Sequence, residues 1–144
     1  MRPVDERQVR QYGLAKQHLL DGTQDDHVVP VVEDLLALHA TSPTTPYLSL
    51  FARVRGFQRS DLDRAFYMER HLIRLEVMRG TLFITTTAAA PMLFQATRPT
   101  EAELSKWLQG WRIPQSEYRT LADHLLAVLR DGGKPVSMIR GLVP

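Results

Sequence analysis

The stretch from Leu35 to Phe57, LLALHATSPTTPYLSLFARVRGF, restricts the possible folds of this chain more than any other. Proline is harmless only in the first turn of a helix, and glycine is the favoured residue just past its end. Here Pro46 and Gly56 bracket one short helical segment, with Thr45 placed as its cap. Tyr47, Leu50, Phe51 and Val54 fall at i, i+3, i+4 and i+7 and form one apolar face. Phe57 follows Gly56 as an apolar lock. The other face carries Ser49, Arg53 and Arg55. Such a helix suits the second position of a helix-turn-helix, and on this stretch alone it suits a surface helix with solvated arginines better. The preceding run His39-Ala40-Thr41-Ser42-Pro43 is too polar and too close to proline to stay helical, so it reads as a bend.

Upstream, a helix is expected from about Asp5 to Leu20, with Asp5 and Gln8 as a capping box and Val9, Tyr12, Ala15 and Leu19 as its buried stripe. A second helix is expected from about Val28 to Ala37, buried through Val28, Val31, Val32 and Leu35. Downstream, Ser60 opens a helix with Asp63 closing its cap and Leu62, Ala65 and Phe66 facing inward. The period then changes to two. Leu72–Met78 alternates apolar residues with Arg74 and Glu76, and Arg79-Gly80 makes a turn into the β-branched run Thr81–Thr87. These segments form a β-hairpin. A helix over about Ala88–Thr97 follows, capped by Thr87.

Pro99-Thr100 is the expected boundary, with Thr100 and Glu103 capping a short helix that carries Leu104, Trp107 and Leu108. Trp107 and Trp111 read as packing residues rather than wedges between bases. Glu117–Arg130 forms the longest amphipathic helix, stopped by Asp131-Gly132-Gly133. The final KPVSMIRGLVP resembles the opening of another helix-turn-helix. The fold class expected is therefore mainly α with a small β component. Residues 1–98 form a winged-helix domain with a helix inserted before the wing, and residues 99–144 hold linker helices and the incomplete start of a second such domain.

Charge separates what the chain can bind. Residues 21–50 contain five acids and no Lys or Arg, whereas residues 51–80 contain seven arginines against four acids. The planar fork of arginine suits phosphate and carboxylate. Surface pairing with Asp61, Asp63, Glu69 and Glu76 is the competing use, strongest for Arg64 and Arg70. No cysteine is present, which removes disulfides and thiolate chemistry and agrees with a cytoplasmic location. The five histidines show no metal-ligand spacing. No apolar run reaches the length of a membrane span, and the N-terminus lacks an apolar signal region.

At LLALHATSPTTPYLSLFARVRGF and again at RAFYMERHLIRLEVMRGTLFITTT, the chain resembles the winged-helix DNA glycosylases of the AlkZ and YcaQ type. The most specific pieces are Pro46–Phe57 and the M-R-G-T-L segment, Met78–Leu82. The resemblance implies a DNA-repair protein that binds duplex DNA as a monomer and excises alkylated or crosslinked bases. It hydrolyses the N-glycosidic bond without metal or other cofactor. It further implies that this chain is an N-terminal part of a longer protein with further winged helices and a β-barrel region. The family's catalytic motif is glutamine, an apolar residue, then glutamine or aspartate. Its place is taken by His39-Ala40-Thr41, so His39 and Thr41 are the candidate catalytic residues. Family members often carry histidine where this chain has Phe83.

A neutral imidazole, with an ordinary pKa of about 6.5, can take a proton from water at His39. The Thr41 hydroxyl can orient that water. The alternatives are that His39 binds the last carbonyls of a helix and that Thr41 caps the bend. Thr45, Ser49, Arg53, Arg55, Arg74 and Arg79 are the candidate DNA contacts. A non-catalytic winged-helix module, such as a transcriptional regulator, is the alternative function.

Overall fold

The computed structural model describes residues 5–78 and 80–142. Helices and one small antiparallel sheet make it an α+β protein. The chain divides between Arg98 and Pro99 into two compact units.

In the first unit, helix α1 spans Glu6–Lys16 and is capped by Asp5, whose side chain accepts from the Arg7 amide. The expected buried stripe is not there: Val9 and Tyr12 are 58% and 67% exposed. The segment is anchored instead by a polar side chain. His18 takes a left-handed backbone (φ 56°), which ends the helix before Leu20. Its ring is buried, with Nδ1 2.7 Å from the Thr23 carbonyl and Nε2 2.9 Å from the Asp34 carboxylate.

Helix α2, Val28–Asp34, buries Val28, Val31 and Val32. It stops three residues sooner than the periodicity suggests, because Leu36 is left-handed (φ 66°). The buried Thr85 hydroxyl donates to the Leu36 carbonyl at 2.7 Å and holds that turn. The chain then enters strand β1, Leu38–His39, where the sequence suggests a bend.

Helix α3, Thr45–Phe51, begins one residue earlier than its proline suggests. Thr44 takes the cap position, so Thr45 is not the cap, and Pro46 falls within the first turn. Leu50 is fully buried and Val54 nearly so, but Phe51 is 72% exposed. The helix spans less than two full turns, and its inward direction passes through Pro46, Leu50 and Val54. The helix ends at Phe51, four residues before the Arg55 end that Gly56 suggests, because the backbone of Arg53 and Arg55 bonds to Asp25 instead. Gly56 is left-handed (φ 61°) in the turn that follows, and Phe57 packs on the core.

Helix α4, Arg59–Asp63, is capped at Gln58, whose amide donates to Asp61 at 2.8 Å. The cap therefore lies two residues before Ser60, and Asp63 is free for another partner. A π-helical turn, Arg64–Met68, continues it. Strands β2 (Leu72–Met78) and β3 (Thr81–Thr86) form the expected hairpin. The sheet order is β1-β3-β2, with a bulge between Glu76 and Met78. Arg79 lies outside the described residues. Helix α5, Ala90–Thr97, starts after Thr86 rather than Thr87 receives the Ala89 amide, and it packs on β2. The core joins α2, β1, α3, α4 and the inner positions Leu72 and Ile84 of the hairpin.

The second unit contains α6 (Glu101–Gly110), α7 (Gln115–Leu129) and α8 (Val136–Ile139). The Thr100–Glu103 capping box opens α6 as its sequence requires. Among the described residues of this unit only Leu108 is buried. Trp107 and Trp111 are 55% and 69% exposed, so they are not core residues. Helices this few and short have too little interior to enclose two indoles.

Candidate functional site

His39 and Thr41 meet at the outer edge of the sheet. Leu38 pairs with Ile84 and His39 with Phe83, and the Ala40 amide extends the ladder to the Leu82 carbonyl at 2.7 Å. The Leu82 amide donates to the Thr41 Oγ1 at 3.2 Å, so a side chain completes the ladder where the backbone leaves it. The same Oγ1 lies 3.2 Å from His39 Nε2. The His39 ring stands edge-on to Phe83, with centroids 5.4 Å apart and planes at 88°. Both polar side chains remain exposed. The hydroxyl has two acceptor sites and one proton. With His39 Nε2 carrying the hydrogen, Thr41 accepts from both neighbours and its own O–H is left to donate. His39 Nδ1 then presents a lone pair.

Successive residues of a strand face opposite sides of a sheet. Leu38 and Ala40 are buried, and His39 and Thr41 project the other way. On the Ala40 side lies a groove of about 670 Å³, whose lining includes Ala40, Tyr47, Leu48, Phe66, Tyr67 and Ile84 together with Arg59 and Arg74. Arg74 is opposite Ile84 in the ladder. This cation thus faces the groove side of the sheet, not the His39 side.

The other cations have distinct surroundings. Arg53 is half-buried; its Nη1 donates to the Ser49 carbonyl at 2.9 Å and to Ser49 Oγ at 3.0 Å. Its Nε is buried without a partner among the described residues. Burial lowers the pKa of this guanidinium below that of free arginine. Arg55 Nε donates to Asp26 Oδ1 at 2.8 Å. That bond and the attraction behind it raise the Arg55 pKa and lower that of Asp26. Arg64 pairs with Asp61 at 3.1 Å. Thr45 is half-buried at the start of α3.

Three features of the site have no signal in the sequence. The Tyr47 hydroxyl donates to Asp63 Oδ1 at 2.6 Å, and that bond to a carboxylate raises the phenol pKa. Arg59 lies over the Tyr47 ring, 5.3 Å from its centroid. The Leu82 amide reaches Thr41 across 41 positions of sequence, a pairing that only the β1–β3 register creates.

Among the described residues no three His, Asp or Glu side chains converge as metal ligands, and no helix is long and apolar enough to cross a membrane. No curated protein and no solved structure matches the chain. The family model for DNA glycosylase AlkZ-like proteins matches residues 32–138, from within α2 through β1, the hairpin and α7 into α8. This match spans well over half of the 144 residues, and the chain belongs to the AlkZ-like DNA glycosylase family.

Proposed function

We propose that this protein binds duplex DNA through a winged helix and excises alkylated or crosslinked bases by hydrolysing their N-glycosidic bonds. The observation that carries the reading is the exposed, hydrogen-bonded His39–Thr41 pair, which stands in the segment that resembles the family's catalytic motif. Family members often have glutamine at the first of these positions and histidine at the place of Phe83. Here the imidazole stands on β1, directly across the ladder from Phe83.

In the reaction, His39 takes the proton of a water at Nδ1, and Thr41, bonded to Nε2, holds the ring in that tautomer. The water oxygen bonds to the anomeric carbon as the bond to the base breaks, and the base leaves with the bonding electrons. An N7-alkylated purine already carries positive charge and is a good leaving group, so a modest base is sufficient.

The order helix, strand, helix, helix, strand, strand from α2 to β3 supports the winged-helix reading. In that order α4 and its π-turn directly precede the hairpin. They take the second-helix position, which the sequence reading assigns to α3. Arg59 then joins Arg74 as a cation open to phosphate, whereas Arg53 is tied to Ser49, and Arg55 and Arg64 reach phosphate only by leaving Asp26 and Asp61.

Single-turnover excision of an N7-alkylated purine from duplex DNA tests the proposal. His39→Ala is expected to lose at least a hundredfold, the usual range for a general base, and Thr41→Ala less. Equal rates for His39→Ala, with folding intact, overturn the assignment. Absence of excision by the unmutated protein favours the non-catalytic module, a reading supported by the departure of both His39 and Thr41 from the family motif.

A further inference from the structure

The groove on the Ala40 side of the sheet is not used by the His39 chemistry. Its composition is specific. Tyr47 comes from α3, and Phe66 and Tyr67 come from the π-turn. A π-turn is wider than an α-turn and is frequent at functional sites. Here it sends two consecutive aromatic side chains to the same groove, with their rings in edge contact at 4.9 Å. Leu48 and Tyr67 are each 68% exposed although large and apolar, which leaves a face without an internal partner. Arg59 and Arg74 bring two cations to the same lining from separate elements, α4 and β2. Arg59 has an acidic neighbour, Asp63, at 3.8 Å, but Asp63 is also held by Tyr47. Arg74 has no ion pair among the described residues.

Aromatic rings and arginines lining one groove form the combination that holds an unpaired nucleotide. The base stacks on the rings, and the phosphate is met by the forked cations. A volume of about 670 Å³ accommodates one nucleotide with room at its open side. Ala40 lines the groove and is bonded to both His39 and Thr41, so groove and catalytic pair occupy opposite faces of one strand edge. We propose that this groove is a binding site for one unstacked nucleotide of a DNA strand, with the base on Tyr67 and Phe66 and the phosphate between Arg59 and Arg74. The proposal rests on DNA being the partner, but not on excision.

The test is fluorescence anisotropy with a labelled single-stranded thymidine oligonucleotide and with the same backbone built entirely from abasic units. The base-containing strand is expected to bind about tenfold more tightly, the scale of one stacked base. Tyr67→Ala, at an exposed position, is expected to erase that preference, and Arg74→Gln to weaken both strands. Tyr12→Ala, equally exposed but on α1, is expected to change neither. Equal affinity for the two strands, or equal effects of Tyr67→Ala and Tyr12→Ala, overturn the proposal. Sedimentation of the same variants tests a second copy as the occupant. Dimerisation that Tyr67→Ala abolishes, without any preference for bases, also overturns it. Base-dependent binding in a protein that excises nothing sustains the groove assignment and rejects the glycosylase reading.

Discussion

Arg55 illustrates how one neighbour decides what a side chain is available to do. Its sequence position marks it as a phosphate contact, yet Asp26 occupies its Nε. Attraction to Arg55 holds the Asp26 pKa below the usual carboxylate range. The pair therefore persists at neutral pH, and what it contributes to stability is lost only as the solution becomes acidic enough to protonate Asp26. Both partners are open to solvent, so the pair matters more to the availability of Arg55 than to the fold. Asp26→Asn is expected to leave thermal unfolding nearly unchanged and to tighten duplex DNA binding at low salt. The salt dependence should steepen by about one released counterion. Titrations at several salt concentrations measure this, and an unchanged slope would show that Arg55 does not reach phosphate.

At the level of elements, β1 depends on the turn before it. Leu36 adopts a left-handed backbone that is costly for leucine, and its carbonyl is met by the buried Thr85 hydroxyl. That bond carries the chain from α2 into β1 with His39 facing outward and Ala40 inward. Thr85→Val keeps the shape but leaves the Leu36 carbonyl unsatisfied. It is expected to cost about 1–3 kcal/mol in urea unfolding and to lower excision more than binding. A stability loss with unchanged excision would separate the turn from the site. The π-turn has a comparable role for the groove, because it is the element that brings Phe66 and Tyr67 to one side.

Across the whole molecule, seven arginines within residues 51–80 give a cationic region in a chain whose net charge is only +2. Duplex DNA binding is expected to show little sequence preference and to weaken about tenfold or more between 50 and 200 mM salt. Filter binding over that range is the measurement, and salt-insensitive binding would exclude phosphate as the main contact. The sequence by itself determined the elements whose signals are local. Period two fixed the hairpin, and Thr100 with Glu103 fixed the start of α6. It also placed His39 and Thr41 beside the Pro46 helix as candidates. Tertiary structure decided what depends on partners distant in the chain. The Val9–Tyr12 stripe of α1 stays in water because a buried histidine, not an apolar face, anchors that segment. Two residues became strand β1 because β3 offered them a ladder, although Leu38-His39 alone has too little strand propensity to indicate it. The same ladder turned His39 and Ala40 to opposite faces, which separates the catalytic candidate from the aromatic groove. A strand's alternation acts only once it is paired, and that pairing spans more than forty residues of chain.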